Sequence, residues 1–203
     1  MLVCDGLSGE CQPCYRASGK DKGRTNADDS GGKIRGLIRE VPVKKGDFLQ
    51  IIPGTIHAIK AGFLILETQQ SSDITYRVYD YGRLVDGKPR QLHVKQSIDV
   101  TNVPDEADKK GLKHAAEIPV NQLFLLEDCE HYRVWKLQLS GSYQLEQNYP
   151  FLILSVLSGE GKLDGEPLKK GEHLLLPADY GMAELSGEME LILSTTAEPE
   201  REG

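Results

Sequence analysis

Val43-Lys-Lys-Gly-Asp-Phe-Leu-Gln-Ile-Ile-Pro-Gly-Thr-Ile-His57, continued as Ala58-Ile-Lys-Ala-Gly-Phe-Leu-Ile-Leu-Glu67-Thr-Gln-Gln-Ser-Ser-Asp-Ile-Thr-Tyr-Arg77-Val-Tyr-Asp-Tyr-Gly-Arg83, is the stretch whose reading decides the fold. Gly46-Asp47 reads as a turn, Phe48 to Ile52 as a short β-branched strand, and Pro53-Gly54 as a second turn. That turn delivers His57 at the start of the next strand, directed inward between Ile56 and Ala58. Beyond Gly62, a buried-type strand from Phe63 to Leu66 leads to Glu67, and a third strand about Ile74 to Val78 carries Arg77. Three antiparallel strands that turn an imidazole, a carboxylate and a guanidinium toward one interior suit a small barrel holding a metal ion and an anionic ligand.

The totals bound what such a barrel can serve. A chain of 203 residues has room for one or two small domains with real cores. A net charge of −7 argues against a nucleic-acid footprint and fits a protein whose small anionic substrate is drawn in by a local basic cluster. No apolar run approaches the roughly 20 residues that span a bilayer, and Met1-Leu2-Val3 does not open a signal peptide. The expectation is a cytoplasmic protein with neither membrane nor nucleic-acid partner.

The spacing Gly46 … Pro53-Gly54-x-x-His57 is the second half of the cupin signature. With Leu66-Glu-Thr-Gln-Gln70 and Tyr76-Arg-Val-Tyr-Asp80 following in order at short gaps, the stretch resembles type I mannose-6-phosphate isomerases in their shorter bacterial form. The resemblance runs from Ile38 to Thr195. It implies an all-β fold of the cupin type, a double-stranded β-helix or jelly roll. It also implies a phosphosugar as the small-molecule partner, and one zinc ion as cofactor. In that family the histidine matching His57 is one of four zinc ligands; a Gln and a His close together and then a Glu, all on earlier strands, are the others. This chain begins about where the match would resume after that Glu, so those three are absent.

Residue by residue, the resemblance makes Glu67 an acid or base beside the metal, where a carboxylate can move a proton. It makes Arg77 the arginine over the substrate, where a fixed cation steadies a developing enediolate. Arg83 matches a basic position near the ligand. Tyr76, Tyr79 and Tyr81 read as ordinary strand residues, and His93, His114, His131 and His173 receive no role.

The rest of the chain divides about this stretch. Between Cys4 and Lys33, Leu7 is the only Leu, Ile, Val or Phe, so residues 1–33 read as a disordered leader unable to bury enough to offset its chain entropy. A second reading makes the leader a frameshifted translation of family sequence. A one-base shift of one encoding of Ala27 to Ile34 gives a helical stretch that suits the family, and the frame is restored near Ile34. Cys11-Gln-Pro-Cys14 has the spacing of a zinc knuckle or a redox pair, but a structural zinc site wants a second ligand pair that nothing downstream supplies, which favours incidental cysteines. Ile34, Leu37, Ile38 and Val41 have helical spacing ended by Pro42. Residues 34–102 would be the remaining part of the catalytic barrel, closing with a turn at Val85–Pro89 and a helix over Arg90–Ile98.

Residues 103–118 read as a polar linker, and 119–198 as a second, smaller, metal-free jelly roll. Its strands are expected at Leu123–Glu127, Tyr132–Leu139, Phe151–Leu157, His173–Leu176 and Met189–Ser194, with glycine turns between them. Cys129 reads as a buried small apolar residue. Leu168-Lys-Lys-Gly171-Glu-His-Leu-Leu-Leu-Pro177 repeats Val43-Lys-Lys-Gly46-Asp-Phe-Leu-Gln-Ile-Ile-Pro53, but Gly181 stands after Pro177 where His57 stands after Pro53.

The resemblance implies an aldose–ketose isomerase that interconverts mannose 6-phosphate and fructose 6-phosphate through a cis-enediol, with zinc polarising or positioning the sugar oxygens. This chain would be an N-terminally truncated form, inactive alone, whose incomplete barrel exposes strand edges and so favours association. The alternative is a non-catalytic sugar-phosphate-binding or regulatory cupin. A metal oxygenase of the same superfamily ranks last, because no histidine-rich motif precedes Gly46. The oligomeric state is open.

Overall fold

The computed structural model describes residues 2–4, 14–17, 38–60, 62–72, 74–103, 111–115 and 117–197, with side chains from Glu40 onward. By its internal contacts the chain forms two compact units, Met1–Leu112 and Lys113–Gly203.

The first unit is built of short strands. β1 (Leu2–Cys4) lies between β4 (Asp47–Leu49) and β6 (Ile65–Glu67), antiparallel to both. β2 (Cys14–Ala17) lies between β3 (Ile38–Val41) and β5 (His57–Ala58), again antiparallel. Two segments of the stretch expected to be structureless are therefore strands, completed by partners far along the chain. The remaining leader residues, with Cys11 and the junction at Ile34, lie outside the described residues. The helix expected over Ile34–Val41 is corrected where it is described: Ile38–Val41 is β3. Val41 pairs with Cys14 there, so a β partner outweighs the local helical spacing.

Phe48 and Leu49 of β4 are buried, and Val41, Phe63, Ile65 and Leu112 pack on buried Val43. A two-residue hairpin joins β7 (Leu84–Val85) to β8 (Lys88–Pro89), with Asp86 at φ 52° and Gly87 at φ 75°, the left-handed pair that a type I′ turn requires. A helix, α1 (Val94–Val100), falls where one was expected. The strand expected at Ile74–Val78 is not there; that segment carries no ladder.

β9 (Leu112–His114) spans the division between the units, within the polar stretch 103–118. The second unit then comprises β10 (Phe124–Asp128), β11 (Tyr132–Gln147), β12 (Phe151–Leu163), β13 (Glu166–Lys169), β14 (His173–Pro177) and β15 (Gly181–Thr196). One sheet runs β10-β11-β15-β12-β13, and β14 also pairs with β12. Period-two residues fill its core: Trp135, Leu137 and Leu139 of β11, Leu152, Leu154 and Val156 of β12, and Met189, Leu191 and Leu193 of β15. On β12 the buried set passes from even to odd numbers, ending at Leu163, because a bulge between Val156 and Ser158 shifts the register. Lys136, 1% exposed, pairs with Glu190 at 2.6 Å.

β11, β12 and β15 are far longer than the sequence suggests, and the glycines expected at turns lie inside them. Gly141, Gly187 and Gly161 sit side by side across β11, β15 and β12. A Cβ on Gly187 would stand 2.5 Å from the Gly161 Cα, and one on Gly161 would stand 2.2 Å from the Ser186 carbonyl oxygen. Only glycine permits that approach, the mark of a sharp bend in a sheet that folds over its own core. Cys129, expected buried, is half-buried at the turn between β10 and β11, its Sγ 3.4 Å from the Tyr132 carbonyl oxygen.

Candidate functional site

The Pro53-Gly54 turn is set by Gly54 at φ 83° and closed by the Thr55 N–H donating to the Ile52 oxygen at 3.2 Å. It is also held from the far end of α1. Asn102 donates its side-chain Nδ2 to the Pro53 oxygen at 2.8 Å and its backbone N–H to the Gly54 oxygen at 2.9 Å. A Cβ on Gly54 would stand 2.7 Å from the Val100 carbonyl oxygen, so the turn needs glycine for room as well as for φ.

The turn hands the chain to β5, where His57 pairs with Arg16 of β2. The ring was expected to point inward between Ile56 and Ala58. His57 is instead exposed while both neighbours are half-buried, because its Nδ1 bonds back to the Thr55 carbonyl oxygen at 2.9 Å. A carbonyl only accepts, so Nδ1 carries a proton, and in the neutral ring the lone pair is on Nε2.

Glu67 is the exposed last residue of β6. Arg77 is half-buried in the unpaired segment before α1. Arg83 Nη2 meets Asp80 Oδ1 at 2.6 Å, and its guanidinium lies 5.7 Å from the centre of the Tyr81 ring. Asp80 is 7% exposed and takes a second cation, Arg90, at 3.5 Å through the same oxygen; its buried Oδ2 has no hydrogen-bond partner among the described residues.

These side chains share one cleft of about 800 Å³ within the first unit: His57, Glu67, Arg77 and Arg83 all line it, with Asp80 and Arg90. Three guanidinium groups face two carboxylates there, a local positive balance on a chain of net charge −7. Such a cleft can hold an anion while keeping a carboxylate within the same space. Sequence reasoning missed Asp80, Arg90 and Asn102. The i, i+3 spacing of Asp80 and Arg83 was a usable signal for the first; nothing local marks the others.

A metal ion fits these residues poorly. Zinc takes three or four protein donors, and among the described residues no group of three His, Cys, Asp or Glu comes together. Among them, too, no helix is long and apolar enough to cross a membrane.

Residues 121–196 match the family model described as the cupin domain of mannose-6-phosphate isomerase. A mannose-6-phosphate isomerase of Bacillus subtilis is 47% identical over 163 residues, 78% of this chain and 51% of that protein. One from Streptococcus mutans is 39% identical over 191 residues, 91% of this chain and 59% of that protein. The crystal structure of the mannose 6-phosphate isomerase from Bacillus subtilis superposes with a TM-score of 0.77 at 31% identity, covering 96% of this chain and 63% of that one. The chain thus spans about half to three-fifths of the length of these relatives, and its all-β architecture is theirs. Over that span the chain is similar to mannose-6-phosphate isomerases, and its residues 121–196 match the cupin domain of that family.

Proposed function

We propose that the first unit carries the sugar-phosphate cleft of an aldose–ketose isomerase acting on mannose 6-phosphate and fructose 6-phosphate in the cytoplasm. The observation that carries this reading is the meeting of His57, Glu67, Arg77 and Arg83, the positions that the family resemblance marks, around one cleft. In it, Arg83 holds the phosphate with Arg90, both steadied by the Asp80 carboxylate. An arginine fork matches phosphate oxygens in two places at once, which makes the grip directional. Arg77 stabilises the charge that develops on the sugar oxygens as a proton passes between C2 and C1 through a cis-enediol. Glu67 carries or orients that proton.

Zinc is the cofactor that the family resemblance implies, and His57 Nε2 is the donor this chain offers it. The described donor set does not hold the ion by itself. A second reading is a cleft that binds sugar phosphates without turning them over.

Calorimetric titration of the 203-residue chain with mannose 6-phosphate and with mannose, beside a coupled assay for fructose 6-phosphate with added zinc, tests both. Binding of the phosphorylated sugar alone is expected, without turnover. Turnover would establish the isomerase and overturn the expectation that the chain is inactive on its own. Failure of the phosphosugar to bind at millimolar concentration would remove both readings.

A further inference from the structure

Because Ile74–Val78 has no strand partner, the backbone groups of Arg77 must be satisfied elsewhere. Both go to one residue. The His93 backbone N–H donates to the Arg77 carbonyl oxygen at 2.7 Å, and the Arg77 N–H donates to His93 Nδ1 at 3.3 Å. We infer that His93 is the positioning residue of Arg77, fixing by this reciprocal pair the backbone from which the guanidinium reaches the cleft. The inference rests on the isomerase reading for what Arg77 does, not for where it is held.

The chemistry of the pair is specific. An amide nitrogen only donates, so Nδ1 must present its lone pair and the neutral ring carries its proton on Nε2. His57 shows the opposite tautomer, with its proton on Nδ1. The His93 ring is further fixed against Tyr76, centroid to centroid 6.0 Å at 51°. Its carbonyl oxygen accepts from the Ser97 N–H and the Ser97 hydroxyl, each at 2.8 Å, which ties His93 into the first turn of α1. Ser97 in turn accepts the Thr101 N–H at 3.0 Å, one residue before Asn102. The short helix is therefore a brace, with His93 holding Arg77 at its start and Asn102 holding the turn before His57 at its end.

Two replacements of the same ring separate positioning from mere stability. In His93→Asn the amide oxygen falls near the place of Nδ1 and keeps the acceptor; in His93→Gln it lies one methylene too far. Hydrogen exchange at the Arg77 amide, with mannose 6-phosphate affinity beside it, is measured on the full chain. Exchange is expected to speed up, and affinity to fall, by about fivefold to tenfold in His93→Gln, the size of one net hydrogen bond. Both should return close to the parent values in His93→Asn. Asn102→Ala serves as the control: it removes the side-chain bond to the Pro53 oxygen at the other end of α1 and should leave the Arg77 amide as it was. Equal behaviour of the Asn and Gln variants, or an Arg77 amide that moves as much in Asn102→Ala, overturns the assignment. If the parent chain binds no phosphosugar, the isomerase reading fails while the exchange data still decide the role of His93.

Discussion

The turn at Lys44–Asp47 and the turn at Lys169–Glu172 are the same object built twice. In the first, the Asp47 N–H donates to the Lys44 oxygen at 3.0 Å and the Lys44 N–H donates to the Asp47 carboxylate at 2.9 Å. In the second, the Glu172 N–H donates to the Lys169 oxygen at 3.1 Å and the Lys169 N–H donates to the Glu172 carboxylate at 2.9 Å. The glycine between stands at φ 85° in one and 86° in the other. Past the glycines the two courses diverge. β4 stops after three residues and the chain runs through Pro53-Gly54 to His57 and the cleft, whereas β14 pairs along β12 and ends at Pro177 before Gly181. A shared turn therefore fixes how a chain enters a strand and nothing about the chemistry beyond it. The difference lies four residues past the proline, in an imidazole or a hydrogen atom.

The largest effect expected from testing this contrast falls on the second unit, whose stability rests on glycines that do not turn. Gly187→Ala must place a side chain at φ 119° and 2.5 Å from the Gly161 Cα. Overpacking plus backbone strain at such a site is expected to cost about 3–5 kcal/mol. Gly171→Ala, at φ 86° but with nothing within 4 Å, meets only the left-handed penalty of about 1–2 kcal/mol. The single tryptophan, Trp135, lies in the core of this unit, so urea unfolding followed by its fluorescence reads both variants directly. Equal losses would mean that the glycine row is no close-packed bend.

That contrast also explains what was legible beforehand. Turn chemistry is local, so Gly46, Pro53-Gly54 and the repeat at Gly171 were visible in the sequence, whereas Glu67, Arg77 and Arg83 were marked only by the family resemblance, and Asp80 and Arg90 not at all. Strand pairing is settled by distant partners, which is why Leu2–Cys4 and Cys14–Ala17 read as featureless and Ile38–Val41 as helical. Glycine carries the same letter in a turn and in a strand, so Gly141, Gly161 and Gly187 read as breaks. The Ile74–Val78 segment has strand composition, yet the groups that satisfy its backbone belong to His93, and a loop-to-helix bond leaves no periodic trace.

A middle-sized effect sharpens the likeness of the two turns. Asp47 is 1% exposed, while Glu172 is half-buried and its bond to the Lys169 N–H is exposed. A hydrogen bond to a buried charged group contributes about 1.5–3 kcal/mol, and one that water can replace far less. Asp47→Ala is therefore expected to destabilise its unit by that amount, and Glu172→Ala by about 0.5 kcal/mol. Hydrogen exchange resolved by unit measures each separately. A reversal of the order would show that the matching geometry conceals a different division of labour.

The smallest expected effect concerns two Asp-Gly hairpins, Asp86-Gly87 in the first unit and Asp164-Gly165 in the second, with φ values of 52° and 75° against 49° and 88°. The local conformation is shared, but Asp164 does more than turn. Its carboxylate accepts the Glu184 N–H at 2.7 Å and the Tyr180 hydroxyl at 2.6 Å, joining the hairpin to β15. The backbone bond from Glu184 first, and the Tyr180 hydroxyl second, hold the Asp164 carboxyl below the ordinary carboxylate range. A folded-state pKa below the unfolded one contributes stability above the unfolded value, near 3.9, that is lost as the pH falls through the folded one. Asp164→Asn should therefore melt slightly below the parent at neutral pH, and the two curves should converge in acid. Asp86→Asn keeps a residue equally suited to a type I′ turn and should leave the melting temperature unchanged. Tyr180→Phe removes the second of the two bonds, so the carboxyl carbon of Asp164, followed by NMR, should titrate part of the way back toward its ordinary range. If it does not move, the tyrosine contributes nothing to the carboxylate, and only the backbone bond distinguishes this hairpin from its counterpart.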